Sequence, residues 1–228
     1  MFEYYFFDLD GTLTDPAEGI TNSFVHAIKY FGMEVPSYEK LCTFIGPPLV
    51  ATFQNEFGFD DEKSMEGVKK YREYFAQKGI FENKVYDGIE NVLAHLQAKG
   101  KRLVVATSKP EEYSVKILEH FGLAKYFDFI CGSNMDETRS RKEEVIEYAL
   151  EKCREAYGTS GSVSGAVNKA GFDKSKVLMI GDREHDIIGA KKNGIKSCGV
   201  LYGYGSRQEL EAAGADYIVD NVRNLLEL

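Results

Sequence analysis

The 228-residue sequence has few prolines, no run of basic residues and no apolar segment of membrane-spanning length. With only 5 prolines, 43% hydrophobic and 28% charged residues, it is neither collagen-like, low-complexity nor wholly disordered. Its 36 acidic residues outnumber the 28 basic ones, so the formal charge of -8 opposes a phosphate backbone at long range. We therefore expect no nucleic-acid polymer and no membrane as a partner.

Cysteine is also scarce. The four cysteines at positions 42, 131, 153 and 198 are far apart and form no CxxC pair, which argues against a zinc site and a disulfide framework. The first residues reach Asp8 without the basic-then-apolar pattern of a signal peptide. We expect reduced thiols in a cytoplasmic protein that is a monomer or a homodimer.

Short apolar runs recur along the chain and alternate with segments of helical periodicity. The runs are Tyr4 to Phe7, Leu103 to Ala106, Phe127 to Cys131, Val177 to Ile180, Gly199 to Tyr202 and Tyr217 to Val219. Several are apolar on both faces, which is typical of parallel strands covered by helices. The alternation from residue 87 onward predicts an α/β fold with a doubly wound parallel sheet.

Residues 15–86 interrupt this alternation, because they contain no convincing strand. Apolar residues from Ile20 to Phe31 recur at helical spacing, and later Tyr/Phe-rich stretches indicate further helices. The economical prediction is a helical insert after the first strand. The chain would then form a core domain of residues 1–14 and 87–228 and a helical domain of residues 15–86.

Three irregular segments have open roles. Phe44 to Leu49 is either a turn between helices or a loop that touches a substrate's leaving group. Gly203-Tyr204-Gly205 is either a plain glycine turn or a segment that approaches the substrate. Gly158 to Gly165 is small and polar and is either a flexible connection or the tip of an extended helix-to-strand excursion.

Polar residues directly follow three of the predicted strands. Asp8 and Asp10 follow the first, Thr107 and Ser108 the second, and Asp182 the fourth. Because ligands bind at the carboxyl edge of parallel sheets, we expect these groups to meet there. Clustered carboxylates repel one another unless a cation neutralises them, and a hard divalent ion suits such oxygen ligands, Mg2+ before Ca2+.

The segment Asp8-Leu9-Asp10-Gly11-Thr12-Leu13-Thr14 resembles the first signature of the haloacid dehalogenase-like hydrolase superfamily. Three more motifs resemble that superfamily in the same order: Thr107, Lys142 at the head of a predicted helix, and Gly181-Asp182-Arg183-Glu184-His185-Asp186. The helical insert then corresponds to the family's cap domain.

The branch of the superfamily that is most similar contains phosphoglycolate phosphatases and 5'-nucleotidases, on the evidence of Gly19 to Ser23 and Phe44 to Leu49. The resemblance implies a Mg2+-dependent phosphatase that acts on small phosphate monoesters through an aspartyl-phosphate. Two alternatives are a sugar phosphomutase of the same superfamily and a regulatory binding protein that has the fold without turnover.

The resemblance also implies roles for single residues. Asp8 would be the nucleophile, and Asp10 would protonate the leaving oxygen and later activate water. Lys142 would act in catalysis and bind the phosphoryl group together with Thr107 and Ser108.

The same resemblance implies a set of metal ligands. Mg2+ would be held by the carboxylates of Asp8 and Asp182 and by the backbone carbonyl of Asp10. Asp186 would either bind the ion directly or orient its waters and Lys142.

Two of these assignments have rivals in the sequence. Arg139 and Arg141 are alternatives to Lys142 as the cation that reaches the phosphate, and we prefer Lys142 because it matches the family position. Thr107 and Ser108 could instead cap the helix that follows Pro110.

Overall fold

The computed structural model describes residues 1–158 and 171–228. In chain order its strands and α-helices are β1 (Tyr4–Phe7), β2 (Thr14–Asp15), α1 (Ala17–Tyr30), α2 (Tyr38–Cys42), α3 (Leu49–Phe57), α4 (Asp61–Tyr74), β3 (Lys84–Val85), α5 (Ile89–Ala98), β4 (Arg102–Pro110), α6 (Glu111–His120), β5 (Phe129–Ser133), α7 (Lys142–Tyr157), β6 (Val177–Gly181), α8 (Glu184–Lys192), β7 (Lys196–Val200), α9 (Arg207–Ala213) and β8 (Tyr217–Val219). A π-helical turn, Phe75–Gly79, extends α4, and 3-10 helices cover Ala124–Tyr126, Lys174–Lys176 and Val222–Glu227.

Six of the strands form one parallel sheet in the order β5-β4-β1-β6-β7-β8. The chain fills one half of the sheet first and then crosses to the other side of β1 to start β6. Phe7 therefore pairs with Val105 on one side and with Ile180 on the other. In open α/β sheets, ligands bind beyond the carboxyl ends of the strands at such a reversal of strand order.

Helices cover both faces of the sheet, as the apolar character of β1 requires. Tyr5 and Phe7 belong to a buried cluster that includes residues of α5 and α6, whereas Tyr4 and Phe6 belong to a second cluster with residues of α7 and α8. Burying alternate side chains of one strand in two separate clusters is possible only when the sheet is covered twice. The prediction of a doubly wound α/β fold is confirmed.

The six predicted strands are all present, but two are displaced. β5 begins two residues later than the run from Phe127 predicts, and β7 begins at Lys196 rather than at Gly199. Because β7 begins with the polar residues Lys196 and Ser197, a pattern of apolar residues does not reveal its start. Ser197 is nevertheless buried, and its backbone N-H donates to Asp216 at 3.0 Å. The connection predicted from Gly158 to Gly165 lies, after its first residue, outside the described residues.

Residues 15–86, called the helical segment below, contain α1 to α4. Aromatic side chains form its core: the ring of Phe24 lies 5.2 Å from that of Phe44 and 5.0 Å from that of Tyr71. The expectation of no strand there is wrong at its two ends, because β2 and β3 pair as an antiparallel ribbon of two residues each. Strands this short carry no alternating pattern that a sequence could reveal. The proposed domain boundaries stay a prediction.

Within residues 1–158 and 171–228, no helix combines the length and the apolar character that crossing a membrane would require.

The four thiols are free and differ in accessibility. Burial raises the pKa of Cys131, Cys153 and Cys198 to about 12, whereas Cys42 is partly exposed. Because the thiolate is the reactive form, we expect the native protein to react with one equivalent of a thiol-specific chromogenic disulfide and the unfolded protein with four. Cys42→Ser should remove the native reaction. Fast reaction of a second thiol before unfolding would contradict this prediction.

Candidate active site

Three aspartates meet at the carboxyl edge of the sheet. Asp8 directly follows β1, Asp182 directly follows β6, and Asp186 lies in the first turn of α8. Since β1 and β6 are neighbours, their ends bring these side chains together, and one carboxylate oxygen from each lies within 4.8 Å of the others. All three side chains are buried.

A lysine lies among these carboxylates. Lys142 is the first residue of α7, and its Nζ lies 2.8 Å from Asp8 Oδ1 and 2.9 Å from Asp186 Oδ1. Its Nζ also donates to the carbonyl of Ala106 at 3.2 Å. Burial alone would lower the pKa of Lys142, but the carboxylates of Asp186 and Asp8 outweigh that effect and raise it above its ordinary value. Lys142 is therefore charged.

The charges of this cluster do not balance. If all three carboxyl groups were ionised, the one ammonium group would leave two negative charges uncompensated in a buried place. Burial, and then the neighbouring Asp186 and Asp8, raise the pKa of Asp182 well above its ordinary value. Burial likewise raises the pKa of Asp186 to about 6, although Lys142 opposes the shift. One divalent cation would restore neutrality.

The oxygen atoms of Asp182 show where such a cation fits. Its Oδ2 accepts a hydrogen bond from the backbone N-H of Tyr204 at 2.8 Å, whereas its buried Oδ1 has no partner among the described residues. An unpartnered buried carboxylate oxygen beside two other carboxylates is a ligand set suited to a hard divalent ion. The residues present at the predicted metal site therefore fit a divalent cation.

Two glycines let the backbone pack closely around Asp182. A Cβ atom on Gly11, which has a φ of +81°, would lie 2.2 Å from Asp182 Oδ2, and one on Gly203 would lie 2.4 Å from Asp182 Cβ. The segment Gly203-Tyr204-Gly205 therefore packs on this aspartate and holds it. The sequence alone allows either a plain turn or a substrate contact for this segment, and neither interpretation predicts this packing on Asp182.

A cavity of about 70 Å³ opens beside the cluster, between the sheet edge and the helical segment. Asp8, Asp10, Thr107 and Ser108 all line it, so the structure gathers the predicted phosphate-binding residues next to the predicted nucleophile. Several residues of the segment from Phe44 to Leu49 line the same cavity. This position favours the interpretation of that segment as a loop that faces a substrate.

Asp10 has a partner that the motifs did not predict. The Nζ of Lys109 forms a nearly buried ion pair with Asp10 Oδ2 and lies 4.6 Å from the centre of the Phe75 ring. Burial raises the pKa of Asp10, although Lys109 opposes the shift. The carboxylate of Asp10 is outside the three-aspartate cluster, and its buried Oδ1 has no hydrogen-bond partner among the described residues. Lys109 directly follows Thr107 and Ser108 in the chain, and this position is the sequence signal that could have identified it.

The structure separates Lys142 from its two rivals. Arg139 donates to the carbonyl of Gly132 at 3.0 Å, and Arg141 is exposed and pairs with Glu144. Of the three cations, only Lys142 contacts Asp8.

The capping alternative for Thr107 and Ser108 is not what the structure has. Helix α6 is preceded by Pro110 and receives no hydrogen bond from a capping side chain. Thr107 instead accepts a long hydrogen bond, 3.3 Å, from the backbone N-H of Lys109, in the part of β4 where the pairing with β5 shifts register between Ala106 and Pro110.

Comparisons with known proteins identify the family to which this chain belongs. A model of the haloacid dehalogenase-like hydrolase family matches residues 5–200. A 5'-nucleotidase of Pseudomonas aeruginosa is 43% identical over 206 residues, which cover 90% of this chain and 86% of that protein. Tyrosine-protein kinase PtkA of Mycobacterium tuberculosis is 34% identical over 225 residues, which cover 96% of this chain and 71% of that protein.

A solved structure agrees over the whole chain. The crystal structure of a predicted phosphatase from Clostridium acetobutylicum superposes with a TM-score of 0.90 at 47% sequence identity, covering 100% of both chains. These matches confirm the family resemblance of the motifs and the prediction of an enzyme: the chain belongs to the haloacid dehalogenase-like hydrolase family.

Proposed function

We propose that this hydrolase is a Mg2+-dependent phosphatase that acts on small phosphate monoesters and forms an aspartyl-phosphate on Asp8. The observation that carries the proposal is the buried cluster of Asp8, Asp182 and Asp186 around Lys142, open to a cavity that Asp10 and Thr107 also line. The relatives named 5'-nucleotidase and phosphoglycolate phosphatase support the same reaction type.

Asp8 performs the first step. A carboxylate oxygen of Asp8 attacks phosphorus, the bond between phosphorus and the leaving oxygen breaks, and an acyl phosphate forms on the side chain. Lys142 stays within 2.8 Å of Asp8 Oδ1 and offsets negative charge as the phosphoryl group arrives. This division replaces one difficult hydrolysis by two easier displacements.

Asp10 transfers the protons. In the first step its carboxyl gives a proton to the leaving oxygen, and in the second it takes a proton from the water that attacks the acyl phosphate and frees Asp8. Burial favours the protonated form of Asp10, which suits the first of these tasks. A positioned acid-base group of this kind is worth roughly 100 to 10,000-fold in rate.

The phosphoryl oxygens need hydrogen-bond donors besides Lys142. Thr107 and Ser108 line the cavity near the carboxyl end of β4, and the hydroxyl of Thr107 can donate to an anion while accepting from Lys109 N-H. Together with Lys142 they hold the phosphoryl group in line with the nucleophile.

The residues that would hold Mg2+ are Asp8, Asp182 and the backbone carbonyl of Asp10. Asp186, which pairs with Lys142 and accepts from the backbone N-H of Arg183 at 3.1 Å, completes the acidic set. When bound, the ion lowers the repulsion between an anionic nucleophile and an anionic phosphate. The protein's own task is to keep these oxygens close enough to share it.

The helical segment forms one wall of the cavity that a phosphate ester would enter, because Phe44, Tyr71 and Phe75 line it together with Asp8 and Thr107. Two contacts join the helical segment to the rest of the chain beside it: Arg183 donates to the carbonyl of Ile45 at 2.6 Å, and Arg72 pairs with Glu137. Opening admits the substrate, and closing excludes water and selects the leaving group.

Phosphate release from a panel of substrates, with and without Mg2+, tests the proposal. p-Nitrophenyl phosphate, 2-phosphoglycolate and nucleoside 5'-monophosphates are compared. We expect chelation to lower release by on the order of 100-fold or more, because losing one electrostatic stabiliser costs at least that much. Excess Mg2+ should restore activity. Equal rates in chelator and in Mg2+ would contradict the proposal, and a requirement for a sugar bisphosphate would indicate a phosphomutase instead.

A further inference from the structure

The cavity contains a second ion pair on the side of the helical segment. Arg72, near the end of α4, donates from Nη2 to a carboxylate oxygen of Glu137, which lies between β5 and α7. The two side chains are only 17% and 16% exposed, and both line the same cavity as Asp8 and Asp10. Arg72 also donates to the carbonyl of Met135.

The loop that carries Glu137 is held in an unusual backbone conformation. Glu137 has a φ of +67°, in the left-handed region that non-glycine residues rarely adopt. The loop is closed by hydrogen bonds between Asn134 and Thr138, through the backbone at 3.0 Å and through the side chains at 2.8 Å. A strained residue that faces a cavity is typical of a functional position. Glu137 contacts Arg72 from this conformation.

Among the described residues that line the cavity, neither cation is unpaired: Lys109 pairs with Asp10 and Arg72 with Glu137. Phe44, Tyr71, Phe75 and Tyr113 supply aromatic lining, and Ser133 and Ser140 add hydroxyl groups. The charges of the two ion pairs cancel, so the surface that would face a leaving group carries no net charge.

We propose that Glu137 determines specificity: together with Arg72 it selects leaving groups that are uncharged and carry hydroxyl groups, and it rejects carboxylated ones. The proposal rests on the proposed phosphatase function. A hydroxyl can donate to Glu137 while accepting from Arg72, so the pair is used without being broken. A carboxylate would instead place a second negative charge beside Glu137 and compete with it for the N-H groups of Arg72.

The test compares two substrates that differ only at one carbon: glycerol 3-phosphate carries a hydroxymethyl group where 3-phosphoglycerate carries a carboxylate. The ratio of their kcat/KM values is measured for the wild type, Glu137→Gln and Arg72→Gln. We expect the wild type to prefer glycerol 3-phosphate. Glu137→Gln should shift the ratio toward 3-phosphoglycerate by on the order of 10-fold to 100-fold, since it removes a like-charge contact.

Arg72→Gln makes the test sharp, because it should shift the ratio in the opposite direction by leaving Glu137 to face the carboxylate alone. Glu112→Gln, which breaks the exposed pair with Lys116 away from the cavity, is the matched control and should leave the ratio unchanged. If turnover of either compound is too slow, the same ratio is taken from inhibition constants against p-nitrophenyl phosphate.

Three results are decisive. Equal effects of Glu137→Gln on both substrates, or shifts of the same sign in both variants, would mean that the ion pair only fastens the helical segment, and the proposal would fail. A wild-type preference for 3-phosphoglycerate would also overturn it. Failure of the proposed function itself is distinct, because the wild type would then release no phosphate even from p-nitrophenyl phosphate.

Discussion

Replacement of Asp8 by asparagine is expected to lower phosphate release by about 10^4-fold or more, as the loss of a covalent nucleophile does in other hydrolases. The amide has the same shape as the carboxylate and can still accept from the backbone N-H of Leu9, which bonds Asp8 Oδ1 at 2.8 Å. It cannot form an acyl phosphate. Steady-state phosphate release and a thermal melt of the same preparation measure the effect.

The control for this variant is a surface aspartate. Asp61→Asn changes an exposed side chain in the first turn of α4 and should leave both activity and melting temperature near the wild type. Loss of activity in a folded Asp8→Asn protein would support the nucleophile and exclude a regulatory protein without turnover. Undiminished hydrolysis would show that another group attacks phosphorus.

Asp182→Asn is expected to separate stability from activity. Without a metal, Asp182 is a buried carboxylate with an unpartnered oxygen, and its raised pKa means that ionisation at neutral pH destabilises the folded state. The amide removes that charge and keeps an acceptor for the N-H of Tyr204. In chelator we expect the variant to be more stable by about 1–3 kcal/mol, the cost of one unsatisfied buried group.

Activity should move in the opposite direction. Because a ligand oxygen with full negative charge is lost, we expect phosphate release to fall by on the order of 10^3-fold. Mg2+ should raise the melting temperature of the wild type, as any ligand of the folded state does, and raise that of Asp182→Asn much less. Urea or thermal unfolding in chelator and in Mg2+ provides both comparisons.

Asp186→Asn is compared with Asp182→Asn in the same unfolding experiment. Asp186 contacts Lys142 at 2.9 Å and accepts from the backbone N-H of Arg183, so its charge is already used in the metal-free protein. The raised pKa of Asp186 means that its ionisation also destabilises the folded state at neutral pH, but loss of the contact with Lys142 offsets the gain from removing that charge. We therefore expect Asp186→Asn to gain less stability in chelator than Asp182→Asn does. If both variants were less stable than the wild type, excess negative charge would not be what destabilises the metal-free site.

The parts of the site that follow strand ends could be predicted from the sequence. Asp8, Thr107 and Asp182 each come directly after an apolar run, and parallel strands bring such residues to one edge. Lys142 required the family motif, since nothing in the local pattern of α7 distinguishes it from Arg141. Its burial depends on how α7 packs against β4, which is a tertiary property.

The contacts that were missed join residues with no local relation. Arg72 and Glu137 are 65 residues apart, and one lies on a helix while the other lies in a loop with a left-handed backbone. Neither the period of α4 nor the composition of the loop indicates that the two side chains meet. The hydrogen bond from the backbone N-H of Tyr204 to Asp182 likewise could not be predicted from the sequence, because a backbone N-H is available at every non-proline position.

The first strand of the chain is also the central strand of the sheet, and this order governs when the fold can be completed during synthesis. Tyr4 pairs with Arg102 on one side and with Val177 on the other, so neither pairing can form until those residues have been synthesised. A nascent chain that has not reached β6 keeps an open edge on β1, and such long-range pairing is slow to form. We expect the joining of β6 to β1 to be a late event. Asp8 and Asp182 would then become neighbours only after most of the protein has left the ribosome.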